Sequence, residues 1–265
     1  MSTRVVVCGA LGRMGRRIIE LSLQDPEVEV VGGVEHPDCI PSLDLGEALS
    51  KEELRGVLLT SRLEELLPSC NVVIEFSGNT TAAVGHTKLA TLDGKAVVIG
   101  TTGFTEGEVK DIEECSKNAP VLLSPNMSLG VNLLFKLVET AARVLKDKNF
   151  DMEVVEVHHR FKKDAPSGTA VKLTEILKET ADLKKVVHGR EGEAPREQGE
   201  LGVFAVRGGD VVGDHTVYFL GFGERIELTH RATSRDTFAK GSVEAAKWIK
   251  GKEPGMYTMF DVLNL

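Results

Sequence analysis

The sequence predicts an α/β protein with an N-terminal doubly wound parallel sheet and a second α+β domain that contains an open mixed sheet. Three observations support this fold class. Short apolar runs alternate with amphipathic segments through residues 5–123. A glycine-rich turn links the first apolar run to the first amphipathic segment. Strand-like runs separated by glycine turns follow one another closely along residues 202–232.

Composition narrows the classes of function. The 265 residues suffice for two domains, and 42% hydrophobic with 27% charged residues is typical of a soluble protein. A formal net charge of −8 argues against nucleic acid or an anionic membrane as the partner. The four cysteines lack C-x-x-C spacing, which indicates reduced thiols. We find neither a signal peptide nor an apolar run of membrane-spanning length, so we expect a cytoplasmic protein.

The first turn has the spacing of a dinucleotide-binding loop. A buried-type strand at Val5 to Cys8 leads into G-x-x-G-x-x-G and an amphipathic helix, so a pyrophosphate can approach the helix N-terminus. The next strand, Val28 to Val34, ends in an acid that can accept hydrogen bonds from an adenosine ribose. A plain strand-to-helix turn with an unrelated acid is the alternative. The contacts predicted for this Rossmann-type fold are Gly9, Ala10, Leu11, Gly12, Arg13, Met14 and Glu35.

Further strands and helices continue the alternation. The strands lie at residues 57–59, 72–76, 96–99 and 121–123, and the helices near 61–67, 80–92 and 105–116. Polar or glycine-rich loops follow three of these strands, at the sheet edge where ligands bind. Each loop alone is typical of an ordinary helix cap, but together they predict contacts with a nicotinamide ribose and ring. The loops are Ser77-Gly78-Asn79, Gly100-Thr101-Thr102-Gly103 and Ser124-Pro125-Asn126-Met127.

The second half of the sequence predicts a separate domain. Its elements are a long helix at 128–145, a polar loop at 184–200, and strands at 202–206, 215–220 and 226–232. A final helix at 236–250 returns to the first domain. We expect residues 1–127 and 236–265 to form the dinucleotide-binding domain. We expect residues 128–235 to bind substrate and to form the oligomer contact.

Residues 156–170 read E-V-H-H-R-F-K-K-D-A-P-S-G-T-A and combine proton donors with a helix start. Side chains alternate along a strand, so His158 and His159 should point in opposite directions. Lys162 follows in the loop, and the turn at Pro166 to Thr169 leaves N–H groups at a helix N-terminus, which suits an anion. These features predict proton transfer on a substrate that carries carboxylates. The alternative is a surface histidine pair beside an ordinary helix cap.

Several segments match one known family. The most specific is E-x-H-H-x-x-K-x-D-A-P-S-G-T-A at Glu156 to Ala170. The others are residues 9–15, 100–103, 124–126, 207–210, 213–217, 234–235 and 238–241. Through these segments the chain resembles, over nearly its whole length, the 4-hydroxy-tetrahydrodipicolinate reductase (dihydrodipicolinate reductase) family.

The resemblance implies an NADH- or NADPH-dependent oxidoreductase of diaminopimelate and lysine biosynthesis. It would reduce 4-hydroxy-tetrahydrodipicolinate, a dicarboxylate cyclic imine, to tetrahydrodipicolinate with loss of water. His158 would donate a proton, since histidine titrates near neutral pH, and Lys162 would be a second donor that holds developing charge. The implied carboxylate contacts are His159, Ser167, Gly168 and Thr169. The family also implies a homotetramer.

Two positions depart from the family pattern. His36 would contact the cofactor where relatives that use NADPH well carry an arginine, so we expect NADH to be favoured or both cofactors to be used. Met127 replaces a frequent phenylalanine. The alternatives are an NAD(H)-binding sensor without turnover and an aldehyde dehydrogenase, which would need a cysteine beside a base. We expect no metal site, since His158 and His159 diverge and no third ligand is close.

Overall fold

The computed structural model describes residues 2–265, which form two compact units. Unit 1 consists of the chain up to Ser128 together with Asp236–Leu265, and unit 2 consists of Leu129–Arg235. Unit 2 is therefore a continuous segment that interrupts the chain of unit 1. Within the described range, no helix has both the length and the apolar character needed to cross a membrane.

The elements have the following bounds. The strands are β1 (Thr3–Cys8), β2 (Val28–Val34), β3 (Leu59–Thr60), β4 (Val72–Glu75), β5 (Ala96–Ile99), β6 (Pro120–Leu123), β7 (Asp151–His158), β8 (Lys185–Val187), β9 (Glu200–Arg207), β10 (Gly213–Leu220), β11 (Arg225–Ala232) and β12 (Gly255–Tyr257). The helices are α1 (Arg13–Ser22), α2 (Leu45–Leu49), α3 (Thr80–Leu92), α4 (Glu106–Cys115), α5 (Leu129–Leu145), α6 (Gly168–Ala181), α7 (Asp236–Ile249) and α8 (Met259–Leu263). Short 3-10 helices lie at Pro37–Cys39, Glu52–Leu54, Leu63–Glu65 and Leu67–Ser69.

Unit 1 contains a seven-stranded parallel sheet with the order β12-β6-β5-β4-β1-β2-β3. β4 and β5 are buried at every position, as expected for apolar strands that have helices on both faces. The strand order reverses between β1 and β4, and ligands bind such sheets at this kind of switch point. The predicted Rossmann-type doubly wound sheet is confirmed.

Some elements differ from the prediction. The helix expected near residues 61–67 is instead a pair of short 3-10 helices, since Pro68 removes a backbone donor that an α-helix would need. β8 lies inside the predicted polar loop, and β12 was not predicted. Both are three-residue edge strands, each paired with one neighbour. Three residues are too few to give a readable hydrophobic period.

The turn after β1 requires glycine at two positions. Gly9 has a φ of +74°, and a Cβ there would lie 2.5 Å from the carbonyl oxygen of Phe76. Gly15, in the first turn of α1, packs so closely that a Cβ would overlap the carbonyl oxygen of Gly9. Glycine therefore lets β1, its turn and α1 approach one another at the sheet edge.

Unit 2 contains a five-stranded sheet with the order β11-β10-β7-β9-β8. β10 is antiparallel to β11 and β7, whereas β7 and β8 are parallel to β9, so the predicted mixed sheet is confirmed. Burial alternates along β7, with Met152, Val154, Glu156 and His158 buried. α6 packs against β7 and β9, and α5 against β10 and β11.

The alternate positions of the same sheet form a second surface, which we call the open face. It is defined by Val155, Phe204, Tyr218 and Leu220, which line a shallow depression of about 660 Å³. Charged side chains, including Glu153 and Arg225, surround these residues. The open face therefore presents apolar and aromatic surface with a charged rim.

Candidate active site

Unit 1 places the predicted dinucleotide loop at the carboxyl end of β1. The N–H groups of Gly9 and Ala10 donate to Val34 O at 2.9 and 3.1 Å, and Gly12 N–H donates to Gly9 O at 3.0 Å. These three amides hold the turn in shape. α1 begins at Arg13 and has no side-chain cap, because its N-cap is glycine. The N–H groups of its first turn form the anion-binding end of the helix.

Glu35 and His36 follow β2 beside this loop. Glu35 Oε2 accepts a hydrogen bond from Leu11 N–H at 2.9 Å, and its Oε1 accepts from His36 N–H at 2.9 Å. The carboxylate is therefore fixed toward the glycine turn. The exposed His36 ring accepts from Asp38 N–H at 3.4 Å and caps a short 3-10 helix. Met14 is half-buried in the first turn of α1.

The loops after β5 and β6 turn some predicted contact residues inward. Thr101, Ser124 and Met127 are buried, Thr102 and Pro125 are exposed, and Gly100 and Asn126 are half-buried. Ser124 Oγ donates to Asn126 O at 2.9 Å, within its own loop. The buried side chains of Thr101, Ser124 and Met127 lie inside the loops, and the contacts of these loops with a cofactor stay a prediction.

Unit 2 brings one buried carboxylate to the centre of its candidate site. Glu156, on β7, forms a bidentate pair with Arg207, and both N–O distances are 2.8 Å. Glu156 Oε1 also accepts from Ser167 N–H at 3.0 Å, and Oε2 lies 2.5 Å from His158 Nδ1. Burial alone would raise the pKa of Glu156, but Arg207 and His158 hold it below its usual value. The carboxylate is therefore ionised at neutral pH.

His158, the last residue of β7, is oriented through its ring. Because Nδ1 is hydrogen-bonded to Glu156, Nε2 is the nitrogen that remains for chemistry. Gly213 leaves room for it, since a Cβ there would lie 2.8 Å from Nε2. Burial lowers the pKa of His158 below its usual value, and Glu156 offsets part of this effect. An oriented histidine of this kind can transfer a proton.

His215 lies opposite Glu156 on β10 and packs edge-on against His158, with ring centroids 5.1 Å apart. Its Nε2 is 3.0 Å from Ser167 Oγ. Because that oxygen accepts from Ala170 N–H, its own proton can be donated to His215. Burial lowers the pKa of His215 to about 3, and His158 adds to this effect. His215 is therefore a neutral support for the site.

The loop after β7 holds two of the predicted functional residues. β7 ends at His158, so His159 is in the loop, where its N–H donates to Val211 O at 2.7 Å. Its Nδ1 is buried and has no hydrogen-bond partner within residues 2–265. Lys162 forms an ion pair with Asp164, with 3.0 Å between Nζ and Oδ2.

The start of α6 holds three predicted carboxylate contacts. Ser167 is buried, its Oγ caps Ala170, and its N–H is bonded to Glu156. These hydrogen bonds fix Ser167 within the site. Gly168 is exposed and Thr169 is half-buried at the same helix start. The contacts of these three residues with a carboxylate stay a prediction.

No sequence-based prediction covers Glu156, Arg207 or His215, although all three lie in the segments that match the family. One signal was available for Glu156, because it is two residues before His158 and therefore on the same face of β7. Arg207 lies opposite His158, and His215 lies opposite Glu156, in the register of the sheet.

Comparisons with known proteins agree along the whole chain. Residues 3–127 match the N-terminus, and residues 130–263 the C-terminus, of the dihydrodipicolinate reductase family model. The chain is 80% identical over 265 residues, 100% of both chains, to 4-hydroxy-tetrahydrodipicolinate reductase of Aquifex aeolicus (strain VF5). It is 49% identical over 271 residues to the protein of the same name from Anaeromyxobacter dehalogenans (strain 2CP-C), covering 99% of this chain and 98% of that one.

A solved structure shows the same fold. Dipicolinate-bound dihydrodipicolinate reductase from Paenisporosarcina sp. TG-14 aligns with a TM-score of 0.79 at 24% identity, covering 98% of this chain and 99% of that chain. The amine dehydrogenase from Mycobacterium smegmatis aligns with a TM-score of 0.61 at 13% identity, covering 98% of this chain and 95% of that chain.

The buried neutral His215 predicts an acid-sensitive contribution to stability. Its folded pKa is about 3, whereas an unfolded histidine has a pKa near 6.5, so below that pH only the unfolded chain gains the proton. The free energy of unfolding should fall by about 2 kcal/mol from this group between pH 7 and pH 5. Urea unfolding at both pH values should show a smaller loss for His215→Gln than for wild type. An identical loss in the two proteins would contradict this assignment.

Proposed function

Because the chain belongs to the dihydrodipicolinate reductase family, we propose that it reduces 4-hydroxy-tetrahydrodipicolinate to tetrahydrodipicolinate, with loss of water, in diaminopimelate and lysine biosynthesis. The observation that carries the proposal is the 80% identity over the full length to a reductase of that name. The oriented His158 of unit 2 supports it, because a sensor without turnover would not need a proton donor. The protein is an oxidoreductase.

Unit 1 is the dinucleotide-binding part of this proposal. Gly9 and Gly15 let β1, its turn and α1 pack closely together, and the first turn of α1 has no side-chain cap. These features suit a pyrophosphate. The fixed Glu35 carboxylate can accept hydrogen bonds from a ribose. When bound, the reduced nicotinamide supplies the hydride.

Unit 2 binds the substrate and supplies the proton that it requires. Hydride addition to the conjugated imine leaves negative charge that must be protonated, and the His158 ring, once protonated, donates this proton from Nε2. Glu156 holds the ring and stabilises its protonated form. Lys162 stabilises the developing charge once it exchanges its Asp164 partner for substrate.

The two carboxylates of the substrate require separate contacts. The Nδ1 of His159, which has no hydrogen-bond partner among the described residues, suits one carboxylate. The N–H groups of Gly168 and Thr169 at the start of α6 suit the other. Ser167 orders that helix start through its hydrogen bonds with Glu156 and Ala170.

The role of His158 can be tested with His158→Gln. Turnover with substrate made in situ from pyruvate and aspartate semialdehyde should fall about 10²- to 10⁴-fold, since a general acid contributes about that much. Affinity for dipicolinate, measured by calorimetry, should change less than about threefold, because binding does not use the proton. His188→Gln, which removes an exposed histidine bonded to Val203 O, is the control. Wild-type turnover in His158→Gln would refute the assignment.

Cofactor preference depends on the residue after Glu35. His36 offers a smaller and weaker partner for a 2′-phosphate than arginine does, so we propose that NADH is favoured or that both cofactors are used. His36→Arg should increase kcat/KM for NADPH relative to NADH about tenfold, by adding a charge-assisted pair. His188→Arg adds the same charge in unit 2 and should leave the ratio unchanged. A strong wild-type preference for NADPH would contradict the proposal.

The open face supports a homotetramer, as the family implies. A sheet surface that carries Val155, Phe204 and Tyr218 is suited to pairing with another copy. Light scattering should report four chains, and Tyr218→Glu should give smaller species, because a charge would be buried in the contact. Thr174→Glu on α6 is a control at a half-buried site outside the open face. A monomeric wild type would refute this arrangement.

A further inference from the structure

The carboxyl end of β4 holds a buried carboxylate that the proposed chemistry does not use. Glu75, the last residue of β4, has no exposed surface. It lies where β4 neighbours β1, at the point where the order of the sheet reverses. A buried carboxylate is destabilising by several kcal/mol unless it is paired and hydrogen-bonded.

The partners of Glu75 come from three places in unit 1. Its Oε2 lies 2.6 Å from Nδ1 of His86 on α3. Its Oε1 accepts from Ser77 N–H at 2.7 Å and from Thr101 Oγ1 at 3.3 Å. Burial would raise the pKa of Glu75, but His86 and Ser77 hold it below its usual value. The group is therefore an ionised acceptor.

The Thr101 hydroxyl connects the carboxylate to a further amide. Thr101 Oγ1 accepts from Gly78 N–H at 3.2 Å, so its own proton is directed to Glu75. Glu75 therefore binds the loop after β4 directly at Ser77, and it binds the loop after β5 through Thr101. Thr101 also binds the loop after β4, by accepting the hydrogen bond from Gly78 N–H.

A metal ion is a poorer explanation of the same cluster. Ligand-type atoms of Cys8, Glu75 and His86 lie within 4.8 Å of one another. However, Oε2 of Glu75 and Nδ1 of His86 are 2.6 Å apart, which is a hydrogen-bond distance that leaves no room for an ion between them. The direct contact between His86 and Glu75 already pairs those two groups.

We propose that Glu75 is a positioning residue for the nicotinamide half of the dinucleotide. It acts by holding the loops at residues 77–79 and 100–103 in one arrangement, without touching the cofactor. The inference rests on the proposed assignment of these loops to the nicotinamide ribose and ring. The adenosine half is expected to bind at the glycine turn and Glu35, whose hydrogen bonds do not involve Glu75.

The two halves of the cofactor give a direct test on the full-length protein. NADH and ADP-ribose, which lacks the nicotinamide, are titrated into wild type, Glu75→Gln and Thr101→Val by calorimetry. Both variants should bind NADH about tenfold more weakly, because a hydrogen bond to a charged group is lost. ADP-ribose affinity should stay within about twofold of wild type. Thr101→Ser keeps the hydroxyl and should restore NADH binding.

Thr87→Val is the matched control, since it removes a buried hydroxyl that donates to Ala83 O within α3. It should leave both affinities unchanged. If Glu75→Gln does not fold, Thr101→Val tests the same connection with little change in volume.

Three results would overturn the proposal. Equal weakening of NADH and ADP-ribose would make Glu75 a general stabiliser of unit 1. Unchanged NADH affinity in both variants would show that the loops keep their arrangement without the Glu75 carboxylate. A wild type that binds NADH no more tightly than ADP-ribose would refute the loop assignment itself, and turnover of the imine by that protein would show whether the reductase function still stands.

Discussion

The buried Glu156 carboxylate and the half-buried Arg207 guanidinium form a pair on which the geometry of unit 2 depends. Two N–H groups of Arg207, the N–H of Ser167 and the His158 ring converge on one carboxylate. These partners belong to β9, to the turn before α6 and to β7. Removing one member of such a pair costs about 3–5 kcal/mol, because the other is left buried and charged. Strand register, helix start and ring orientation are therefore coupled energetically.

The same kind of interaction occurs in unit 1, where Glu75 is paired with His86. In both units a buried carboxylate lies at or near the carboxyl end of a strand. It is hydrogen-bonded to residues in or beside the loops that are expected to bind a ligand. Loops carry few apolar contacts of their own, so fixed charges beneath them supply the order that packing supplies elsewhere. The histidines differ in use, since His158 presents a free nitrogen, whereas His86 serves as the partner of a buried acid.

The sequence was sufficient for those features that have a local signature. The glycine turn, the alternation of unit 1 and the strand that ends at His158 follow from spacing and periodicity, and the structure contains them. The cross-strand partners Arg207 and His215 could not be derived in this way, because pairing register is set by long-range contacts. Ser167 shows the same limit: its role as an N-cap was readable, but its hydrogen bond to Glu156 depends on tertiary packing.

The interruption of unit 1 by unit 2 has a consequence for synthesis. All strands of unit 2 have been made once Ala232 leaves the ribosome, so this later segment can complete its sheet first. Unit 1 still lacks α7, which packs on α1 and β5, and β12, which pairs with β6. Chains are made from the N-terminus at about 5–20 residues per second, so the β6 edge stays unpaired until β12 follows, a few seconds later. A nascent chain is therefore most open to chaperones, or to aggregation, at that edge.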